Sequence, residues 1–126
     1  MTVTPPPTIR VPSVLIKAKD AYALWFKIVA DFPRTHRYSL GGKVEAYFLE
    51  LLETIFISLY LPTEQKCNRL VIAVAKLDGV KFFLQLAWEN KCVSNDKYTT
   101  LSSLLNEIGR MLGGWKKGLE NKTPPR

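Results

Sequence analysis

Positively charged side chains are the residues of this sequence whose types and spacing most clearly suggest a chemical role. If residues 64–90 form a helix, its cations project within an arc of roughly 140° at about 100° per residue. The arc contains Lys66, Arg69, Lys76, Lys81 and Lys91, and the acidic residues Glu64, Asp78 and Glu89 lie opposite it. A one-sided arc of this kind suits the neutralisation of phosphate groups. The alternative is a face that only contacts solvent, which is common on a single helix.

A second group of cations occurs in a short connecting segment, Arg34-Thr35-His36-Arg37-Tyr38. The chain of 126 residues has 18 Lys and Arg against 11 Asp and Glu, a formal net charge of +7. This balance favours an acidic partner such as RNA or DNA, although a basic surface that only confers solubility is the alternative. The predicted nucleic-acid and partner-binding residues are Arg34, Arg37, Lys66, Arg69, Lys76 and Lys81.

Catalytic groups are sparse, and the sequence predicts that the protein is not an enzyme. His36 is the only histidine, and it lies between basic residues without a nucleophile and an orienting carboxylate in a catalytic arrangement. Glu45 falls beside the apolar face of its predicted helix, where a carboxylate needs a partner. Arg37 or Arg110 could supply that partner, so a structural role for Glu45 is favoured over a catalytic one.

Metal and cofactor sites have no support from residue spacing either. Di-metal bundles need Glu-x-x-His motifs, and this sequence contains none. Cys67 and Cys92 would lie roughly 35 Å apart along a helix, beyond disulfide reach, so both are predicted to be free thiols. Gly41-Gly42 lacks the spacing and the following Lys-Ser or Lys-Thr of a phosphate-binding loop. We therefore expect no metal and no cofactor.

The spacing of apolar residues predicts four helices that carry these side chains. The first covers residues 13–32, the second 40–61 and the third 64–90. The third is apolar around its circumference, so it must be buried on more than one side. The predicted N-cap residues of these helices are Ser13, Ser39 and Thr63.

The last predicted helix follows the polar segment Ser94-Asn95-Asp96 and has apolar residues at alternating spacings of three and four. That pattern is the seam of a helix packed in a bundle. Gly113-Gly114 and Gly118 indicate a fraying end. The predicted core residues of this helix are Ile108, Leu112 and Trp115.

These elements predict one all-α domain, an up-and-down antiparallel four-helix bundle at residues 13–118. Residues 1–12 are rich in proline and are predicted to form a disordered tail, and residues 119–126 a flexible C-terminal tail. Because no apolar run is long enough for a membrane span or a signal peptide, we expect a cytoplasmic location and no membrane contact.

Residues 32–41 read Phe-Pro-Arg-Thr-His-Arg-Tyr-Ser-Leu-Gly, and residues 105–115 read Leu-Asn-Glu-Ile-Gly-Arg-Met-Leu-Gly-Gly-Trp. In these segments, and in segment order from about Val14 to Lys117, the chain resembles the accessory variability determinant family. Its members are the four-helix-bundle accessory proteins of diversity-generating retroelements. The sequence departs from the family at His36, where Gln is frequent, and at Gly42-Lys43, where a polar residue and Arg are usual.

The resemblance implies a homopentameric barrel of bundles that associates with the retroelement's reverse transcriptase and with nucleic acid. It also implies support for template-directed, error-prone cDNA synthesis that the protein does not itself catalyse. The apolar circumference of the third predicted helix agrees with such an assembly. Two other functions stay open at this point. One is a stand-alone bundle of the type encoded in ribosomal RNA intervening sequences, and the other is a metal-dependent bundle oxidase, against which the missing histidines argue.

Overall fold

The computed structural model describes residues 12–122, and the expectations for residues 1–11 and 123–126 lie outside this range. Within it, the elements are α1 (Ser13–Val29), α2 (Arg34–Arg37), α3 (Leu40–Ser58), α4 (Thr63–Glu89) and α5 (Asn95–Lys122). The four long helices correspond to the four predicted ones, whereas the single turn of α2 was expected to be a loop. None of the helices within residues 12–122 has both the length and the apolar character needed to cross a membrane.

Proline residues determine where two of the long helices begin. Pro12 precedes α1 with φ −62°, and Pro62 precedes α4 with φ −58°. The proline carbonyls accept the first helical hydrogen bonds, from the Leu15 N–H at 3.0 Å and from the Lys66 N–H at 2.8 Å. A proline is favourable at a helix start because its φ is already fixed and no N–H is lost there.

The predicted N-caps at Ser13 and Thr63 are therefore wrong, because both residues are the first of their helices and follow a proline in the cap position. Ser39 does occupy the cap position of α3, but its side chain makes no capping hydrogen bond. Its hydroxyl instead donates to the His36 carbonyl at 3.4 Å, which joins the end of α2 to the start of α3.

Contacts between neighbouring long helices run in opposite directions along the chain. Between α1 and α3, Trp25 contacts Glu45 and Tyr22 contacts Phe48, so the numbers rise on one helix as they fall on the other. The same reversal is found for Glu50–Lys76 and Tyr47–Phe83, for Leu77–Gly109 and Trp88–Tyr98, and for Lys17–Glu107 and Asp31–Lys97. The predicted four-helix bundle is confirmed, and these contacts make it antiparallel.

The core is built around aromatic rings of α1 and α3 and aliphatic side chains of α5. Trp25 is fully buried, and its ring centroid lies 5.4 Å from that of Phe32 and 6.4 Å from that of Phe48. Ile108 and Leu112 are fully buried, which confirms their predicted place in the core. Trp115 is half-buried and packs against the same core from the end of the bundle.

Helix α5 is longer than predicted, because it continues through Gly113 and Gly114 as far as Lys122. The tail expected from residue 119 is therefore helical over residues 119–122. A glycine inside a helix costs about 1 kcal/mol relative to alanine, which is too little to end a helix whose apolar stripe continues. Trp115 and Leu119 extend that stripe and pack against the core.

Helix α4 is apolar on most sides, but the bundle covers only one of them. The covered side consists of Leu70, Ala73, Leu77, Val80, Leu84 and Ala87. Elsewhere on the helix, Val71 is 54%, Ile72 40% and Phe82 60% exposed. A single bundle therefore leaves large apolar side chains of α4 in contact with solvent.

Helices α3 and α4 share the most extensive interface of the bundle, and at Gly79 a side chain of α3 packs directly on the backbone of α4. A Cβ atom added at Gly79 would lie 2.5 Å from the Tyr47 ring, closer than side chains tolerate. The Tyr47 ring stacks on the Phe83 ring at 5.7 Å between centroids and an interplanar angle of 20°. The absent side chain at position 79 thus provides the space in which Tyr47 packs on Phe83.

We expect Gly79→Ala to destabilise the protein, because the new methyl group displaces the Tyr47 ring. Overpacking of this kind costs about 1–3 kcal/mol, against a gain of about 1 kcal/mol in helix propensity. In a Tyr47→Ala background, the same substitution should stabilise by about 1 kcal/mol, because the space is then open. Denaturant unfolding of the four proteins in this cycle measures both effects. Stabilisation in both backgrounds would contradict the close contact.

Candidate nucleic-acid interface

The basic residues of α4 lie along both margins of its buried side and not on one open surface. On the α3 margin, the Lys76 Nζ atom lies 3.0 Å from a Glu50 carboxylate oxygen and 5.7 Å from the Tyr47 ring centroid. On the α5 margin, the Lys66 Nζ atom lies 6.0 Å from the Trp115 ring centroid. The ammonium groups of both lysines therefore lie over aromatic rings of the neighbouring helices.

The other two predicted residues of α4 are also apart from each other. Lys81 is half-buried on the α5 margin, where a Cβ atom added at Gly109 would lie 3.6 Å from its Nζ atom. Arg69 is exposed and lines a shallow depression with Leu61 and Ile72 near one end of the bundle. The structure thus does not bring Lys66, Arg69, Lys76 and Lys81 into a single patch, although each stays a predicted contact.

The cations of the predicted arc do not form one continuous surface, because the centre of the arc coincides with the covered side of α4. On that side Leu77 and Leu84 enter the core. A helix that is apolar on all sides does not reveal from its sequence which side its neighbours cover. Lysine is compatible with the margins of a buried side, because its long apolar stem packs there while its charge remains hydrated. The same residues therefore look like one surface on a helical wheel and like two in the bundle.

Helix α2 positions the second predicted patch at the corner between α1 and α3. Arg34 is exposed, whereas Arg37 is half-buried. The Nη2 atom of Arg37 donates a hydrogen bond to the Ala30 carbonyl at 3.1 Å, directly after α1. A cation at that point satisfies a carbonyl that the helix itself leaves unpaired. Arg37 therefore links α2 to the end of α1. The buried Nε atom of Arg37 has no hydrogen-bond partner among residues 12–122.

Two residues beside α2, Tyr38 and Lys43, are not among the binding residues predicted from the sequence. Tyr38 is 84% exposed. Together with Lys43 it lines a shallow depression of about 670 Å³ whose floor includes Gly42 and Ala46. Arg34, His36, Arg37, Tyr38 and Lys43 together form the basic corner of the bundle. The available signal was the aromatic residue at the end of a basic run, but its exposure could not be read from the sequence.

The ammonium group of Lys43 lies against aromatic residues of α4. The Lys43 Nζ atom lies 5.9 Å from the Phe83 ring centroid. Phe83 in turn contacts Phe82 edge-on at 5.0 Å and stacks on Tyr47. Among the described residues Lys43 has no carboxylate partner within salt-bridge distance, so its charge is not paired. A cation–π contact orients the ammonium group without neutralising it.

Glu45 has partners of a different kind from those expected. Its carboxylate accepts hydrogen bonds from the Tyr22 hydroxyl and, at 2.8 Å, from the Trp25 indole N–H. The expectation of Arg37 or Arg110 as partner is therefore wrong, because Arg37 points to Ala30 and two neutral donors of α1 already satisfy Glu45. The hydrogen bond to Glu45, together with burial and the carboxylate charge, raises the pKa of Tyr22 to about 12. The group links α1 to α3 and has a structural role.

Other reactive residues are dispersed. Cys67 is half-buried and Cys92 is buried, and both are free thiols as predicted. Burial raises the pKa of the Cys92 thiol, which reduces the thiolate fraction. His36 is exposed on α2. Within residues 12–122, no three His, Cys, Asp or Glu residues are grouped so that they would hold a metal ion.

Comparison with known proteins identifies one family. The family model described as bAvd-like matches residues 14–119. This range includes α1 except its first residue, all of α2, α3 and α4, and most of α5. It agrees with the range over which the sequence resembles accessory variability determinant proteins. A search among curated proteins found no match.

We expect Glu45→Ala to destabilise the protein by about 1–3 kcal/mol, because the buried Trp25 indole N–H loses its acceptor. The matched control is Glu53→Ala, an exposed position of α3, which should change stability by less than about 0.5 kcal/mol. Denaturant unfolding of the two variants measures the difference. Equal effects would show that the hydrogen bonds of Glu45 contribute nothing to the fold.

The hydrogen bond from Tyr22 to Glu45 predicts that the stability of the fold depends on pH. The folded-state pKa of Tyr22, about 12, lies above its ordinary value of 10.0. Stabilisation from the Tyr22 contact is therefore complete below pH 10 and is lost as the pH rises toward 12. Alkaline titration of phenolate absorbance should show one tyrosine of wild type titrating late, and Glu45→Ala should remove the delay.

Proposed function

The chain belongs to the bAvd-like family, the accessory variability determinant proteins, and on this basis we propose that it is a non-catalytic accessory protein of a diversity-generating retroelement. In this role it binds the reverse transcriptase and nucleic acid, and it supports mutagenic cDNA synthesis in the cytoplasm without polymerising nucleotides. The family match over residues 14–119 is the observation that carries the proposal.

Charge supports the nucleic-acid part of the proposal. The net charge is +7, and the ion pairs found within residues 12–122 use only Lys17, Lys76, Lys97 and Lys116. Arg34, Arg69 and Lys81 are in none of these pairs. Cations of this kind release counterions when they meet phosphates, so binding should weaken steeply as salt increases.

Uncovered apolar surface supports assembly. Phe26 on α1 is 65% exposed, Phe56 on α3 is 50% exposed, and Phe82 on α4 is 60% exposed. Isolated apolar residues are common on protein surfaces, but several large ones on a domain of 126 residues favour contact with further chains. We propose a homo-oligomer of bundles, and the family resemblance favours a pentamer.

The oligomer is tested by size exclusion coupled to light scattering at micromolar concentration. We expect a mass close to five times 14.3 kDa. The protein should keep this mass in high salt, because apolar contacts are not screened by ions. A monomeric mass would rule out the assembly while leaving the family assignment intact.

The accessory role is tested by co-expression with the reverse transcriptase of the same retroelement. The two proteins should co-purify, and cDNA synthesis on the cognate template RNA should require both. We expect the triple variant Arg34→Glu, Arg69→Glu and Lys81→Glu to bind nucleic acid more weakly at low salt. If all three residues contact phosphates of a single strand, the slope of log affinity against log salt should fall by about 2.

The control for this variant has the same charge change elsewhere: Lys19→Glu, Lys27→Glu and Lys117→Glu, all at exposed positions. Equal losses in the two triple variants would show that only net charge matters and that the predicted residues have no special role. Full cDNA synthesis by the reverse transcriptase alone would refute the accessory role itself.

A further inference from the structure

We propose that the basic corner binds an unpaired nucleobase of single-stranded nucleic acid, which stacks on Tyr38 while the adjoining phosphates contact Lys43 and Arg34. The proposal rests on the nucleic-acid binding proposed above and gives that binding a site. Tyr38 and Lys43 are not among the residues predicted from the sequence, and the structure alone brings them together.

The exposure of Tyr38 has no structural explanation within the bundle. Its side chain is 84% exposed, and it makes no hydrogen bond, ring contact or cation–π contact within the part of the chain that the structure describes. An aromatic side chain left in water in this way contributes nothing to the core. Aromatic side chains with a free face are the platforms on which single-stranded nucleic-acid-binding proteins stack bases.

The backbone around Tyr38 is held by hydrogen bonds, so the point at which the side chain leaves the main chain is fixed. The Pro33 carbonyl accepts the His36 and Arg37 N–H groups at 2.9 and 3.0 Å, and Arg37 ties α2 to Ala30. The start of α3 follows at once, with the Lys43 N–H donating to the Ser39 carbonyl at 3.0 Å. Because the backbone is already held, only the side-chain torsions of Tyr38 have to be ordered when a base stacks on the ring, which lowers the entropy cost of binding.

Space for a flat ligand exists beside the ring. The depression of about 670 Å³ next to Tyr38 is floored by Gly42 and Ala46. A Cβ atom added at Gly42 would have no atom of residues 12–122 within 4 Å, so these residues leave the region above it open. Small residues here leave the depression open to a flat ligand.

Local charge in the basic corner favours the sugar-phosphate backbone. Arg34 and Lys43 form no ion pair with any residue of the range 12–122, and the Lys43 ammonium group lies over the Phe83 ring. The nearest acidic residues in the sequence are already engaged, since Asp31 pairs with Lys97 at 2.8 Å and Glu45 accepts two hydrogen bonds from α1. No free carboxylate of α1 or α3 is therefore opposed to a phosphate at this corner.

The arrangement selects single strands over duplexes. Stacking on one exposed ring requires a base whose face is free, and the faces of bases inside a duplex are covered by their neighbours. The expected preference is for unpaired segments of any sequence.

The test measures binding of a fluorescein-labelled single-stranded oligoadenylate, and of a duplex of equal length, to the purified oligomer by fluorescence anisotropy. We expect Tyr38→Ala to weaken single-strand binding by about 5- to 150-fold, the range for loss of one stacked base. Tyr38→Phe should bind as wild type does, because the ring remains. Duplex binding should be unchanged in both variants.

Salt dependence separates stacking from charge. Tyr38→Ala should leave the slope of log affinity against log salt unchanged, because stacking releases no counterions. Lys43→Gln should reduce that slope by about 0.7. The matched control is Tyr60→Ala, which removes another exposed tyrosine, 60% accessible, after α3 at the other end of the bundle. Tyr60→Ala should bind the oligonucleotide as tightly as wild type.

Three results would overturn the site. Equal single-strand affinity of wild type and Tyr38→Ala at low salt would show that no base stacks on Tyr38. A lower oligomer mass of Tyr38→Ala in light scattering would assign the ring to contact between copies. Loss of reverse transcriptase binding with unchanged oligonucleotide binding would assign it to the polymerase. If the wild-type protein binds neither the single-stranded oligoadenylate nor the duplex, the nucleic-acid part of the proposed function is refuted instead.

Discussion

The hydrogen bond from the buried Trp25 indole to Glu45 is the interaction on which the geometry of the basic corner depends. Helices α1 and α3 have the least extensive interface among neighbouring long helices. A small apolar interface resists sliding only weakly, whereas a directional hydrogen bond from a buried donor favours one register. Because α2 is the connection between these two helices, the register of α1 against α3 determines where Arg34 and Tyr38 lie relative to Lys43.

The distribution of lysines around α4 has a related physical origin. A long helix that is apolar on most sides offers few positions where a charge remains hydrated, and the margins of the covered side are among them. Lys66 and Lys76 occupy these margins over aromatic rings of α5 and α3. Their charges are consequently spread around the bundle. A spread of this kind attracts a polyanion from a distance, while the contacts that hold it are short-range and local.

The sequence was sufficient to predict the four long helices, their antiparallel order and the core positions Ile108 and Leu112, because all of these follow from apolar periodicity. It was insufficient for the end of α5, where continued burial of Trp115 and Leu119 outweighs two glycines. It also failed for the partner of Glu45, because charge suggested an arginine and the neighbouring helix offered a phenol and an indole. The sequence identified basic residues, but it could not show how they are grouped or that Tyr38 is exposed. Both depend on side-chain exposure, which is a property of the packed bundle.

The exposed phenylalanines have a consequence for symmetry. Helices α1 and α4 are diagonal in the bundle, since each packs on α3 and α5 and not extensively on the other, so the exposed Phe26 and Phe82 belong to two separate faces. A two-fold dimer would use one of these faces twice and leave the other in water. Head-to-tail association covers both, because each copy presents its α1 face to one neighbour and its α4 face to the next. Such a chain of copies closes into a ring only when the rotation per copy divides a full turn, and otherwise grows into a filament. In a closed ring of this kind, the angle between the α1 face and the α4 face of one bundle determines the number of copies.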